Sequence, residues 1–204
     1  MVERQILGRG VLDRRVLDAM RRVPRHLFVP DDHRAAAYED RPLPIGDGQT
    51  ISQPYMVAAM TAALDPATTA RILEVGTGSG YQAAVLAELA TEVITIERHA
   101  RLADRARAIL ANLRLTNVRV VVGDGSLGYP DAQPYDGIIV TAAAPQVPQA
   151  LRDQLAPGGR LVIPVGRSGY QQLTVETRLA SGFSTEVRDG CVFVPLIGQQ
   201  GYPG

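Results

Sequence analysis

A chain of 204 residues with 46% hydrophobic residues has the length and apolar content of one globular domain. Its basic residues are all arginine, and 21 of them balance 21 acidic residues, so composition gives no sign of the positive face of a nucleic-acid-binding protein. One cysteine excludes an internal disulfide or a cysteine-based zinc site, and no apolar run approaches membrane-spanning length. We therefore expect a cytoplasmic protein with no nucleic-acid or membrane partner.

Two helices are predicted in the N-terminal third of the chain. The first lies in LDRRVLDAMRRV, where apolar residues recur at helical spacing until Pro24 stops the pattern. The second begins at Pro54, a residue that is tolerated at the first helical position, and repeats Val57, Met60 and Leu64 at helical spacing.

From Arg71 onward, short β-rich runs alternate with alanine-rich or leucine-rich segments, which is the pattern of a parallel sheet with crossover helices. The expected strands are RILEVG, EVITIE, VRVVVGD, YDGIIVTAA and GGRLVIPVG, and the expected helices are YQAAVLAELA, RLADRARAILANL and VPQALRDQLA. Two later runs, QQLTVETRL and STEVRDGCVFVPLI, follow without a helix between them and indicate antiparallel strands. The predicted fold class is α/β, a doubly wound and mostly parallel sheet with flanking helices. The final GQQGYPG is expected to be a loose terminus.

The strongest local motif is ILEVGTGSGYQ, in which a strand runs into Gly76, Gly78 and Gly80 and a helix follows at once. Glycines there let the backbone approach a ligand closely, and the start of the helix offers free amides. The spacing differs from the G-x-G-x-x-G of dinucleotide sites and lacks the lysine of a phosphate loop, so the motif favours a nucleoside-like ligand without a diphosphate. A merely tight turn between strand and helix is the structural alternative.

Acidic residues end the next two predicted strands. Glu97 closes EVITIE, where a carboxylate can accept from both ribose hydroxyls, and Asp124 in the GDG motif is placed to meet an adenine. A solvated carboxylate at a strand end is the alternative for Glu97. Because ligands of open parallel sheets lie across the carboxyl ends of the strands, these ends together predict an adenosine-shaped site, which suggests S-adenosylmethionine.

Several motifs point to one family. The glycine loop EVGTGSGYQ, the GDG motif, YDGIIVTAAAPQVPQAL, LAPGGRLVIPVG, VFVPL and the segment LPIGDGQTISQP resemble those of protein-L-isoaspartate O-methyltransferases, over nearly the whole chain to about Leu196. The glycine loop marks only the broad methyltransferase superfamily, whereas LPIGDGQTISQP is close to diagnostic of this family. The resemblance implies a class I, Rossmann-like fold dependent on S-adenosyl-L-methionine, with S-adenosyl-L-homocysteine as product.

The implied activity is methylation of the free α-carboxylate of L-isoaspartyl residues in damaged proteins and peptides, which starts repair through a succinimide. Ser52 corresponds to the serine that the family treats as catalytic. The alternative is that Thr50 or Ser52 only caps the helix that starts at Pro54. The implied cofactor-binding residues are Thr50, Ile51, Gln53, Glu74, Gly76, Thr77, Gly78, Ser79, Tyr81, Gln82, Glu97, Asp124, Gly125 and Thr141, and no metal is expected.

One methyltransferase domain is expected over residues 1–204, with a helical and active-site loop region in 1–66 and the cofactor-binding sheet and C-terminal strands in 67–204. We expect a monomer, and an extended substrate peptide that pairs with backbone near residues 192–194. Two other functions stay open. A methyltransferase of the same fold acting on a small molecule or nucleic acid is one, although the fourth strand leads into TAAAPQVP and lacks the D/N-P-P-Y motif of amine-directed enzymes. A non-catalytic module that binds the cofactor is the other.

Overall fold

A seven-stranded sheet forms the centre of the structure, a computed structural model that describes residues 1–204. The strands in chain order are β1 (Leu43–Gly46), β2 (Gln49–Ile51), β3 (Arg71–Val75), β4 (Glu92–Glu97), β5 (Val118–Val122), β6 (Tyr135–Val140), β7 (Leu155–Arg167), β8 (Tyr170–Arg178) and β9 (Phe183–Cys191). The large sheet has the order β5-β4-β3-β6-β7-β8-β9. Its first five strands are parallel, and β8 and β9 are antiparallel additions. The predicted fold class is therefore confirmed.

Five α-helices accompany the strands: α1 (Arg14–Arg22), α2 (Pro54–Leu64), α3 (Tyr81–Ala87), α4 (Ala100–Asn112) and α5 (Gln149–Asp153). Shorter helical turns occupy Val2–Ile6, Leu7–Arg9, Arg25–Phe28, Asp31–Ala36, Gly125–Leu127 and Pro130–Ala132. α1 starts after Asp13, whose carboxylate caps it by accepting from the Arg15 amide at 2.9 Å. α5 is shorter than predicted because the chain enters β7 at Leu155. The helices include none with the length and apolarity that crossing a bilayer requires.

Both faces of the central strands are buried. Along β3, Ile72 and Leu73 point to opposite faces, and both are fully buried, as expected for a parallel strand covered by helices on both sides. On one face, Ile72 packs with α2 and α3, and a neighbouring cluster joins these helices and α4 to the N-terminal residues. On the other face, Leu73 packs with Leu151 of α5. The N-terminal segment thus packs on the helical layer of the sheet.

The chain reverses its direction of travel through the sheet at β3. It runs from β3 outward to β4 and β5, then returns to place β6 on the other side of β3. The carboxyl ends of β3 and β6 consequently flank a crevice, and such a switch point is where open α/β sheets bind their ligands.

The segment LPIGDGQTI forms a hairpin, which the sequence analysis did not predict. Leu43 pairs with Ile51 and Pro44 with Thr50 across an Asp47-Gly48 turn, both of whose residues have left-handed backbone angles, φ 50° and 70°. An Asp-Gly pair favours such two-residue hairpin turns because their twist matches that of the strands, so a local signal was present. The hairpin delivers residues 50–52 to the crevice.

The C-terminal GQQGYPG is docked on the protein, so the prediction of a loose terminus was wrong. The Gln199 amide donates to Asp124 Oδ2 at 2.8 Å, and the Gln200 amide donates to Ser126 Oγ at 3.0 Å. The Tyr202 amide closes a turn onto the Leu196 carbonyl at 2.7 Å. Asp124 and Ser126 lie more than 70 residues away in the chain, which is why local patterns gave no signal for this docking.

Removing residues 198–204 should lower the free energy of unfolding by about 2–4 kcal/mol, since several hydrogen bonds that each contribute roughly 1 kcal/mol are lost together. Urea denaturation of the truncated and full chains measures this. Gln199→Ala is the matched control. It keeps the backbone amide that donates a hydrogen bond to Asp124, so it should change the free energy of unfolding by less than about 0.5 kcal/mol. A truncated chain as stable as the full one would show that the tail contacts are marginal in solution.

Candidate active site

The glycine loop after β3 depends on backbone conformations that favour glycine. Gly76, Gly78 and Gly80 all lie in the left-handed region, with φ of 96°, 50° and 87°. A Cβ on Gly76 would lie 2.5 Å from Thr141 Oγ1, so any side chain there would collide with its neighbour. The loop therefore presents bare backbone to the crevice, as the sequence motif predicted.

Thr141 holds the end of β6 against this loop. Its hydroxyl donates to the Gly76 carbonyl at 2.7 Å, and its amide donates to the Val75 carbonyl at 2.9 Å. Gly125, in the helical turn after β5, packs against the end of β3, where a Cβ on it would lie 2.5 Å from Val75 Cγ1. Small or hydrogen-bonded residues thus let three strand ends converge on one cavity.

The Glu97 carboxylate is turned into the site. Only 5% of the residue is exposed, and its oxygens accept from the Gly78 amide and the His99 amide, each at 2.9 Å. Glu97 lines the cavity together with Gly76, Gly78 and Gly125. These contacts exclude the alternative of a solvated strand-end carboxylate, and the acidic group keeps acceptor capacity for a ligand.

Asp124 precedes the cavity-lining Gly125 but does not line the cavity itself. Its Oδ1 accepts from the Ser126 amide and hydroxyl, at 2.9 and 2.7 Å, and its Oδ2 accepts from the Gln199 amide. Burial opposes ionisation of this carboxyl, but the Gln199 and Ser126 donors outweigh it and hold the pKa below its ordinary value. Three of roughly four acceptor positions are thereby used, which leaves about one for an adenine amino group.

Glu74 is the most unusual group in the site. It is fully buried, and neither carboxylate oxygen has a hydrogen-bond partner within the protein. Burial raises its pKa to about 8; the Thr95 hydroxyl opposes this shift, and the nearby charge of Glu97 adds to it. Gln82 adds a third buried acceptor without a partner, its Oε1, while its amide nitrogen donates to Thr61 Oγ1 at 2.9 Å.

Three unpartnered acceptors that border one cavity call for a ligand rich in N–H donors, because buried polar atoms without partners are costly. An ammonium group supplies three donors and a compensating charge. S-adenosylmethionine carries an α-ammonium, two ribose hydroxyls and an adenine. The chemistry of these groups fits this cofactor: Glu74 and Gln82 would accept from the ammonium, and Glu97 would accept from the ribose hydroxyls.

The segment Thr50 to Ser52 lines the same cavity as Glu74 and Gly76. Gln53 is the N-cap residue of α2 and makes no capping bond, and the Tyr55 amide in the first turn donates instead to Asp40 Oδ1 at 3.2 Å. Neither Thr50 nor Ser52 caps the helix, so that alternative is wrong. The half-buried Ser52 lies at the cavity wall.

Most of the predicted site residues meet in two adjoining cavities that share Thr50, Gly76, Gly78 and Thr141. The predicted residues that line these cavities are Thr50, Ile51, Ser52, Glu74, Gly76, Thr77, Gly78, Ser79, Tyr81, Gln82, Glu97, Gly125 and Thr141. Two do not: Asp124 lines neither cavity, and Gln53 lines a separate groove beside Arg9 and Tyr55. No three His, Cys, Asp or Glu side chains come together to hold a metal ion.

Part of the cavity wall consists of residues that the sequence motifs did not predict. Arg98 and His99 follow Glu97 into the site, and residues 194–197 also line it. The VFVPL motif signals the latter, although its apolar pattern predicts a continuation of the last strand. β9 instead ends at Cys191, and the Val194 carbonyl accepts from the Ala143 amide at 2.8 Å. One backbone group of the segment expected to pair with a substrate peptide therefore already has a partner in the chain, and peptide pairing near residues 192–194 stays a prediction.

A glycine loop at the switch point of this sheet, with acceptors arranged for an ammonium and a ribose, defines the class of protein: a class I methyltransferase dependent on S-adenosylmethionine. The chain belongs to the protein-L-isoaspartate(D-aspartate) O-methyltransferase family, whose family model matches residues 1–201. It is 57% identical to protein-L-isoaspartate O-methyltransferase of Methanoculleus marisnigri, over 100% of this chain and 93% of that protein. It is 54% identical to protein-L-isoaspartate O-methyltransferase 1 of Syntrophobacter fumaroxidans, over 100% and 95%.

Solved structures agree with this membership. A protein-L-isoaspartate O-methyltransferase superposes with a TM-score of 0.88 at 28% identity, over 98% of this chain and 67% of that one. A Plasmodium falciparum protein assigned to the same activity, in complex with S-adenosyl-L-homocysteine, gives a TM-score of 0.82 at 25% identity, over 96% of both chains. A precorrin-6y C5,15-methyltransferase of Geobacter metallireducens shares the fold alone, with a TM-score of 0.53 at 14% identity over 71% of this chain and 88% of that one.

Proposed function

We propose that this chain transfers a methyl group from S-adenosyl-L-methionine to the free α-carboxylate of L-isoaspartyl residues in damaged proteins and peptides. The methyl ester then closes to a succinimide, which opens in part to normal aspartate. The observation that carries the proposal is the convergence of residues 50–52, the family's most specific segment, on the cavity that holds the unpartnered Glu74.

The bound cofactor supplies a sulfonium methyl, which is already activated for transfer. The protein's own task is to position the acceptor. Ser52 would orient the substrate carboxylate by donating its hydroxyl hydrogen, and Thr50 would bound the same space. An ionised carboxylate is itself a nucleophile, so no general base is needed, and none of the three histidines is assigned a role. Apolar residues, among them Val75, Ile96 and Leu196, line part of the cavity, and a water-poor site there would favour the approach of opposite charges.

Methylation of a small molecule or nucleic acid is the second candidate, because the fold is shared by a precorrin methyltransferase. The fold therefore leaves the acceptor open. The segment LPIGDGQTISQP favours the isoaspartyl acceptor, since it is the most specific motif of the family and its residues 50–52 line the same cavity as the glycine loop.

Methyl transfer from labelled S-adenosylmethionine to two peptides, identical except for isoaspartyl in place of aspartyl, tests the proposal. We expect transfer to the isoaspartyl peptide alone. Ser52→Ala should lower kcat/KM by about 10–100-fold, the loss expected for one hydrogen bond to a charged group. Ser168→Ala, on the exposed β7–β8 turn, is the matched control and should be unaffected. Equal transfer to both peptides, or none despite cofactor binding, would refute the isoaspartyl assignment.

The partners follow from the same proposal: damaged proteins and peptides that carry isoaspartyl residues. We propose a monomer that works in the cytoplasm, and its single unpaired Cys191 is consistent with a reducing compartment. Light scattering coupled to size-exclusion chromatography measures the oligomeric state.

A further inference from the structure

Arg25 is a fully buried cation that feels the charge of the Asp40 carboxylate but forms no ion pair with it. The residue opens the short helical turn after Pro24, none of its surface is exposed, and it forms no ion pair. Nη1 has no hydrogen-bond partner. Burial lowers the pKa of Arg25 to about 10, so the guanidinium stays charged at neutral pH. Arginines are rarely buried in this way unless the charge is used, because its desolvation is expensive.

The contacts of Arg25 join two walls of the proposed active site. Nη2 donates to the Ser52 carbonyl at 2.7 Å, and Nε donates to the Ala37 carbonyl at 2.7 Å. The guanidinium carbon also lies 4.8 Å from the centre of the Tyr81 ring, a cation–π distance. Tyr81 is the first residue of α3, directly after the glycine loop, and lines the same cavity as Ser52.

A planar guanidinium is well suited to this arrangement. Its donors point in fixed directions, so a bond to the Ser52 carbonyl orients that peptide group, and with it the direction in which the Ser52 side chain leaves the backbone. The Tyr81 ring is itself held by an edge-on contact with Phe28, at a centroid distance of 5.4 Å. These contacts therefore fix the position of the segment that bears Ser52 relative to the glycine loop. An apolar side chain of similar length would fill the space but could not do this.

We propose that Arg25 is a positioning residue for methyl transfer, which sets the placement of Ser52 relative to the glycine loop that carries the cofactor. The proposal rests on the proposed function, in which Ser52 orients the acceptor carboxylate. Transfer rates depend steeply on alignment, and a displacement near 1 Å can cost about 100-fold. Loss of Arg25 should therefore act on turnover more than on binding.

The test uses Arg25→Lys, Arg25→Gln and Arg25→Met in the full chain, with kcat and KM for the isoaspartyl peptide, the Kd of S-adenosyl-L-homocysteine and the Tm measured for each. We expect kcat to fall about 10–100-fold for the methionine variant and less for lysine and glutamine, which keep a donor. KM and Kd should stay within about 3-fold. The glutamine variant is polar and buries no charge, so it still tests the proposal if the methionine or lysine variant fails to fold.

Arg152→Gln is the matched control. Arg152 forms the ion pair with buried Glu176, Nε to Oε2 at 2.7 Å, away from the cavity. Its loss should lower Tm while kcat, assayed well below the Tm, stays the same. A second readout is the combination Arg25→Gln with Ser52→Ala, which should be little slower than Ser52→Ala alone if Arg25 acts through Ser52.

Several outcomes would overturn the positioning role. Wild-type kcat in any folded Arg25 variant would do so. Losses of kcat that add when Arg25→Gln is combined with Ser52→Ala would also overturn it. A cofactor affinity that falls in parallel with kcat would do the same, since both results indicate a purely structural residue. Wild-type protein that methylates neither peptide would refute the proposed function first, and the role of Arg25 with it, so the wild-type assay separates the two failures.

Discussion

Glu74→Gln should weaken binding of S-adenosyl-L-homocysteine by about 10–100-fold, because it removes a charged acceptor from the ligand's ammonium. Wild-type Glu74, with a pKa of about 8, is largely protonated at pH 7 without ligand. Pairing with an ammonium favours the carboxylate, so binding should release close to one proton. Calorimetry in buffers of different ionisation enthalpy measures this, and the Glu74→Gln protein should release none.

The ligand itself offers the matched control. 5′-Methylthioadenosine keeps the nucleoside but lacks the ammonium, so it should bind without releasing a proton. Proton release that persists with this ligand, or in the Glu74→Gln protein, would show that another group titrates.

The same group gives the ligand-free protein a characteristic pH dependence. Between the ordinary value of 4.5 and about 8 the folded state keeps the Glu74 proton while the unfolded chain loses it, so this group's contribution to stability falls as pH rises. The Tm of the ligand-free wild type should consequently decline from pH 5 to pH 8 more steeply than that of Glu74→Gln.

Gly76→Ala should lower the free energy of unfolding by about 2–5 kcal/mol and weaken cofactor binding at least about 10-fold. Two effects combine: φ is 96°, which an L side chain rarely adopts, and the new methyl would meet Thr141 Oγ1 at 2.5 Å. Thr141 cannot turn away freely because its hydroxyl donates to the Gly76 carbonyl. Chemical denaturation and calorimetry measure the two losses.

Gly169→Ala separates the two effects. Its φ is 79°, but a Cβ there meets open space, so only the backbone penalty of about 1–2 kcal/mol should appear, with cofactor affinity unchanged. In a Thr141→Ala background, Gly76→Ala should cost only this smaller amount, because the colliding oxygen is gone. Equal losses for Gly76→Ala and Gly169→Ala in the wild-type background would mean that the loop relaxes around the added methyl.

Fold class, the glycine loop and the acid that ends β4 could be read from the sequence because each is a local pattern. Apolar runs such as EVITIE report burial on both faces, and a strand followed at once by glycines and a helix reports a ligand loop. The hairpin of residues 43–51 also had a local signal, the Asp-Gly turn. Boundaries were weaker: α5 and β9 both end earlier than their apolar patterns suggested.

What the sequence alone determined is therefore the succession of the large sheet's strands and the five α-helices along the chain, the class of ligand and, through LPIGDGQTISQP, the resemblance to one family. The tertiary structure alone decided that Gln199 docks on Asp124, that Glu74 and Gln82 are left without partners, and that Arg25 reaches Ser52. The reason is that periodicity and turn chemistry act over a few neighbouring residues. Partners 27 to 75 positions apart meet only once the sheet has assembled and set which groups are buried together.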